Sequence, residues 1–211
     1  MSRKKKGGKT SREPAAGPAP ADRRGFAVRF ARNVALWLVP VALVWLLLTP
    51  FYNRFLTMAT LNLTWLVESP NVTHLSVAET HYFKITRPDV PTQRGHLGSV
   101  RVTDTHFPLI MLGAFFLAVP GIGWRRRLEA LGWAFLLSVF FHIVSLFFWI
   151  KFIYATQLGA WSLEHYGAFE RNFWGLSKHL LDLPFKFSWP FILWAYFYLR
   201  LLLPEPSQGS P

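Results

Sequence analysis

The chain contains no cysteine, so no disulfide, thiolate metal site or thiol nucleophile can form anywhere along its 211 residues. It is poor in acid, with 11 Asp and Glu against 23 Lys and Arg, a formal net charge of +12. No pair of its seven histidines has a ligand spacing such as His-x-x-x-His, so no metal site is expected, and no other cofactor is expected either. The segment Thr49-Pro50-Phe51-Tyr52-Asn53, which closes the first apolar run, lacks a small-x-small cleavage pattern. That run therefore reads as a retained anchor rather than a signal peptide.

What the chain does have is apolar length. Hydrophobic residues make up 52% of it and aromatics 17%, a profile suited to lipid-facing and interfacial side chains. Leu128 to Ile150 is an apolar stretch with a single acid at its start, introduced by Trp124-Arg125-Arg126-Arg127 and closed by Lys151. It exceeds the roughly 20 helical residues that cross a hydrocarbon core. The predicted fold class is an α-helical integral membrane protein of four transmembrane helices, with an interfacial amphipathic helix and a small external β-containing subdomain.

Along the chain, residues 1–25 are rich in Lys, Arg, Gly, Pro and Ala and predict a disordered basic tail, because they cannot bury enough apolar surface to offset the entropy of ordering. A basic run can bind nucleic acid, but beside a membrane span the simpler partner is anionic lipid, approached by Lys4, Lys5 and Lys6. Residues 26–203 form the expected membrane domain, with spans at about 34–51, 107–122, 128–150 and 185–203, and 204–211 is a disordered end. Between the first two spans, Phe55, Met58, Leu61 and Trp65 fall on one helical face and Asn53, Thr57, Thr60 and Thr64 on another. That split predicts a helix lying in the interface, or one continuing obliquely from the first span.

The two long polar stretches, 68–106 and 151–184, predict loops. The first mixes β-branched and aromatic residues with Pro and Gly and predicts two or three short strands. Lys and Arg concentrate in the tail and at Arg125, Arg126 and Arg127, which predicts cytoplasmic termini and external long loops. Asn62-Leu63-Thr64 and Asn71-Val72-Thr73 fit the glycosylation sequon on that external side. Trp37, Trp124, Trp149, Trp189 and Tyr198, near span ends, read as interfacial anchors.

Candidate chemistry gathers at the outer boundary: Thr105, His106, His142, Ser145, Glu164, His165, Arg171 and Asp182. Ionisable groups at membrane depth are costly and usually face a partner or cavity. Each has a plainer reading beside the functional one. His142 on an apolar helix can simply hydrogen-bond a neighbouring helix, and Glu164-His165 with Glu170-Arg171 can be loop ion pairs rather than acid and base.

The order of these features resembles the core of the exosortase and archaeosortase family: a span opening on the outer side, a short basic hairpin, a span with polar residues in its outer half, a His in the next loop, and a last span with aromatic-Pro-aromatic spacing. Members are multi-spanning, transpeptidase-like proteins that process substrates bearing a short sorting tail. The resemblance implies a Cys nucleophile near Thr105-His106, an Asn-x-x-Arg motif near His142-Ile143-Val144-Ser145, and a His at His165. Only the last is matched. Without the thiolate, Thr105 would need an activating base, and Ser145 supplies at most a neutral donor where the family has a cation. The chain is thus similar to the small exosortase H-associated membrane proteins. The implied function is a non-catalytic membrane partner of a sorting transpeptidase, at the bacterial inner membrane. The alternatives are a divergent hydrolase or transferase using His106, His142 and His165, or an accessory protein of envelope lipid or polysaccharide assembly.

Overall fold

The structure, a computed structural model, describes residues 23–78, 82–90, 97–101 and 103–202. The chain is mostly helical. Helix α1 runs from Arg23 to Leu66, strands β1 (His74–Ala78), β2 (Tyr82–Thr86) and β3 (Gly98–Arg101) follow, and then come α2 (Thr103–Ala118) and α3 (Trp124–Thr156). Helices α4 (Ala160–His165) and α5 (Ala168–Leu180), a π-helical turn (Leu181–Phe185) and α6 (Lys186–Leu202) complete it. Two of these, α1 and α3, are long and apolar enough to cross a membrane, whereas α2 is a shorter apolar helix. The basic tail and the C-terminal end lie outside the described residues, as do His81, His96, Lys4, Lys5 and Lys6.

The predicted first span and the amphipathic segment are one helix of 44 residues, with Pro40 and Pro50 inside it. Of the two placements open to residues 55–67, the helix therefore takes continuation, not a separate interfacial position. Its amphipathicity is inside out: Asn53, Thr57, Thr60 and Thr64 are buried, while Phe55 and Met58 point outward. Two of the Thr hydroxyls return to their own helix, Thr57 Oγ1 donating to Asn53 O and Thr64 Oγ1 to Thr60 O, whereas the buried Thr60 Oγ1 has no partner. Small polar side chains satisfied in this way let neighbouring backbones approach closely. Further up the helix, Leu36, Val39, Leu43, Leu46 and Leu47 are exposed, an apolar surface that suits lipid rather than water.

Strands β1–β3 form an antiparallel meander in that order, with Phe83 opposite Val77 and Val100. Alternation turns Phe83, Ile85 and Val100 inward and leaves Tyr82, Lys84 and Arg101 outside. The inward face closes over Thr57 and Thr60 of α1 and Leu146 and Ile150 of α3. This packing also explains why α3 continues past Ile150: Ile153 and Tyr154 are buried, and Ile153 meets Gly98. The stretch 151–184, read from sequence as loop, is therefore largely helical. Helix α5 stacks along α3 through Trp174 on Phe148 and Lys178 over Trp149, and passes through the π turn into α6.

At the other end, Arg127 ties the hairpin together, its Nε donating to Ile122 O and its Nη1 to Leu117 O. Asn33 of α1 donates to Ala118 O beside it. These donors satisfy carbonyls that the end of α2 would leave open. Arg125 and Arg126 remain exposed, so of the three arginines expected at lipid, Arg127 is instead bound to backbone.

Candidate functional site

Two buried polar groups lie where α1, α2 and α3 meet. Trp45 Nε1–H donates to His106 Nδ1 at 2.8 Å, and His106 Nε2 lies 3.1 Å from Asn53 Oδ1. An indole N–H can only donate, so Nδ1 must be the acceptor and the proton sits on Nε2, directed at Asn53. His106 is therefore fixed as a neutral tautomer with both nitrogens engaged. The Tyr52 hydroxyl lies 2.6 Å from His142 Nδ1. If the imidazole donated there, the buried phenol proton would need another acceptor, so the phenol donates and His142 carries its own proton on Nε2. The Tyr52 ring stands between the two histidines, edge-on to both.

The free edge of His142 belongs to a cavity of about 220 Å³. The sheet edge supplies Tyr82, Ser99 and Arg101, α2 supplies Thr105, α3 supplies His142, Ser145 and Trp149, and the π turn with α6 supplies Asp182 and Lys186. Ser145 Oγ is buried with no hydrogen-bond partner. Opposite it, Asp182 accepts from Lys178 at 3.1 Å and from Lys186 at 3.1 Å. The π turn makes this convergence possible. Pro184 has no N–H to continue an α-helical ladder, and the widened turn carries Asp182 and Lys186 on the face that meets Lys178.

Four residues singled out from sequence thus share one cavity: Thr105, His142, Ser145 and Asp182. His106 lies behind it in the helix core. His165 is elsewhere, exposed, stacked on Trp161 at 4.1 Å between ring centroids and bonded through Nδ1 to Trp161 O. Tyr154, on the same flank as Trp161, is 12 residues beyond His142, about 18 Å along α3 at the helical rise. His106, His142 and His165 therefore do not form one constellation. Glu170 accepts from the Gly167 N–H at the start of α5, and Arg171 donates to Tyr166 O, so both serve local folding. Among the described residues, no group of three or more His, Asp or Glu is arranged to hold a metal ion.

Sequence reasoning missed Lys178 and Lys186, whose i,i+4 spacing about Asp182 was the available signal. It also missed a second polar cluster at the sheet. Arg87 pairs with buried Glu68 at 2.9 Å and with Asp89 at 2.8 Å, and lies over the rings of Tyr154 and Trp161. The Arg87 guanidinium holds the Asp89 carboxyl below the usual carboxylate range. Thr73 donates to Glu68 and meets the Tyr154 hydroxyl at 2.6 Å. Both sequon threonines, Thr64 and Thr73, are buried in this packing.

Comparison with protein-family models, curated proteins and solved structures gives no match for this chain. Its class rests on architecture: a helical protein with two helices of membrane-crossing length and composition, a small sheet, and a cavity walled by the sheet, α2, α3 and the π turn with α6.

Proposed function

We propose that the protein is a multi-pass membrane protein that binds rather than cleaves, acting beside a sorting transpeptidase of the exosortase kind. In this reading α2 and α6 complete four spans, the termini and the Arg125–Arg127 turn face the bacterial cytoplasm, and the sheet with α4 lies outside. The exposed Arg125 and Arg126, and the basic tail, meet anionic lipid headgroups at the inner leaflet.

The observation that carries the binding role is Ser145. Its hydroxyl lies in the cavity beside His142 yet has no partner, and the Nδ1 of that histidine is taken by Tyr52. A nucleophile needs a base within hydrogen-bond reach, and Ser145 has none. The sorting context comes from the order of spans and polar residues: Thr105, His142 and Ser145, at the resembled family's Cys and Asn-x-x-Arg positions, line the cavity, while His165 lies apart on Trp161. An unreactive cavity in that position suits a partner that holds or presents a substrate.

Pull-down of the tagged protein from its native membrane, followed by mass spectrometry, tests this reading. Recovery of a cysteine-dependent sorting enzyme is the expected outcome. Unchanged processing of sorted proteins after deletion of the gene would remove the sorting role, and peptide cleavage by the purified chain would remove the binding-only role.

A further inference from the structure

From the cavity walls we infer that this site takes the phosphate group of a membrane phospholipid. The inference stands apart from the sorting role and needs only the cavity and its position in the bundle.

Charge comes first. Asp182 is shared by two ammonium groups, Lys178 and Lys186, so the carboxylate is already compensated and one positive charge is left over. Lys178 is held against the face of Trp149 at 3.9 Å from the ring centroid. Lys186 lines the cavity itself, with one of its three N–H donors on Asp182. Arg101 also lines the space. A cavity with excess positive charge at a low-dielectric boundary favours an anion.

Donors come second. Ser145 Oγ is a buried hydroxyl without a partner. His142 lines the same space with Nδ1 already accepting from Tyr52, so the nitrogen left to it is a donor. A hydroxyl, an imidazole N–H and an ammonium around one space match the oxygens of a phosphate diester, each forming a charge-assisted hydrogen bond. An unpaired buried hydroxyl is destabilising, a cost that a bound phosphate oxygen would remove.

Position comes third. Counted from Leu128 at the helical rise, His142 is about 21 Å, Ser145 about 26 Å and Trp149 about 31 Å along α3, which places the cavity in the last third of a layer about 30 Å thick. Headgroup phosphates lie just beyond that layer, so a phosphate held here sits slightly below its neighbours. The neighbouring helical surface carries Leu180, Leu183 and Phe187 outward, a wall suited to acyl chains. With liquid water at about 30 Å³ per molecule, about 220 Å³ has room for a phosphate with its glycerol carbons.

The full chain, reconstituted in nanodiscs of phosphatidylcholine and phosphatidylglycerol at 4:1 and released for native mass spectrometry, should retain one phospholipid. Lys186→Met should reduce retention about tenfold and Ser145→Ala several-fold, while Arg126→Gln, at the opposite end, should leave it unchanged. Ser145→Ala provides the control for folding, because removing an unpartnered hydroxyl should raise the melting temperature of the lipid-free protein while weakening lipid binding. Retention unaltered by both cavity substitutions would overturn the inference. So would binding of soluble glycerol 3-phosphate with no retained lipid, since the source would then be a free phosphate ester.

Discussion

At the residue scale, the decisive fact about the histidines is which nitrogen is already engaged. His106 is held between an obligatory donor and an amide oxygen, so replacing it with Leu leaves the Trp45 indole N–H buried without its acceptor. We expect His106→Leu to cost about 1–3 kcal/mol, read as a lower thermal midpoint in detergent, while His106→Gln, which keeps a polar head, costs less. Asp89 gives a pH dependence of defined sign. Its carboxyl titrates lower in the folded chain than in the unfolded one because Arg87 bonds to it. The stabilisation is therefore present above the unfolded value of about 3.9 and lost as pH falls through the lower folded value. Asp89→Asn should lower the neutral plateau of a stability–pH curve slightly and flatten its acid limb by the same small amount, small because the pair is partly exposed and screened. Thr105, His142, Ser145 and Asp182 were legible as candidates because polar residues stand out in or beside apolar runs. Lys178 and Lys186 were not, because a lysine near a span end reads equally well as a snorkelling side chain, and their i,i+4 spacing about Asp182 counts only once 178–186 is known to be helical.

At the element scale, what sequence could not give was which face of a helix turns inward. The split of Thr and large apolar residues over 53–65 was plain, but in a membrane the polar face can be the buried one, and the structure takes that option. The three strands were legible from β-branched alternation between turn formers. The helical character of 151–184 was not, because α5 owes its stability to ring packing on α3 rather than to local pattern. Two substitutions test the element contacts. A Cβ on Gly113 would sit 2.7 Å from Val41 Cγ1, so α1 and α2 cross there with no room for a side chain. Gly113→Leu should destabilise the protein by about 1–3 kcal/mol or more through overpacking, with loss of the monodisperse peak in size-exclusion chromatography. Arg87→Met strips the cation from Glu68, whose side chain is 8% exposed, and should cost about 3 kcal/mol. Protease nicking between the sheet and α1 should then appear at temperatures where the parent chain resists it.

For the whole molecule, the geometry constrains topology more tightly than hydropathy does. The contacts of Arg87 in the β2–β3 connection with Tyr154 and Trp161 place the sheet and α4 at the same end of α3. The Arg125–Arg127 turn begins α3 at its other end, about 50 Å away for a helix of 33 residues at the normal rise. If α3 crosses the bilayer, residues 126 and 164 must face opposite compartments, and the sheet must share the compartment of residue 164. The absence of cysteine makes this directly measurable, since every introduced thiol is the only one in the chain. Arg126→Cys, Glu164→Cys and Lys84→Cys, each at an exposed position, should divide two ways with a membrane-impermeant maleimide on intact cells. Residues 84 and 164 should label, and residue 126 should label only after the membrane is opened. Labelling of 126 and 164 from the same side would mean that α3 does not cross. Labelling of 126 alone in intact cells would keep the crossing and reverse its direction, carrying the phosphate-binding cavity to the inner leaflet, where the same Lys186 and Ser145 would meet a different set of headgroups.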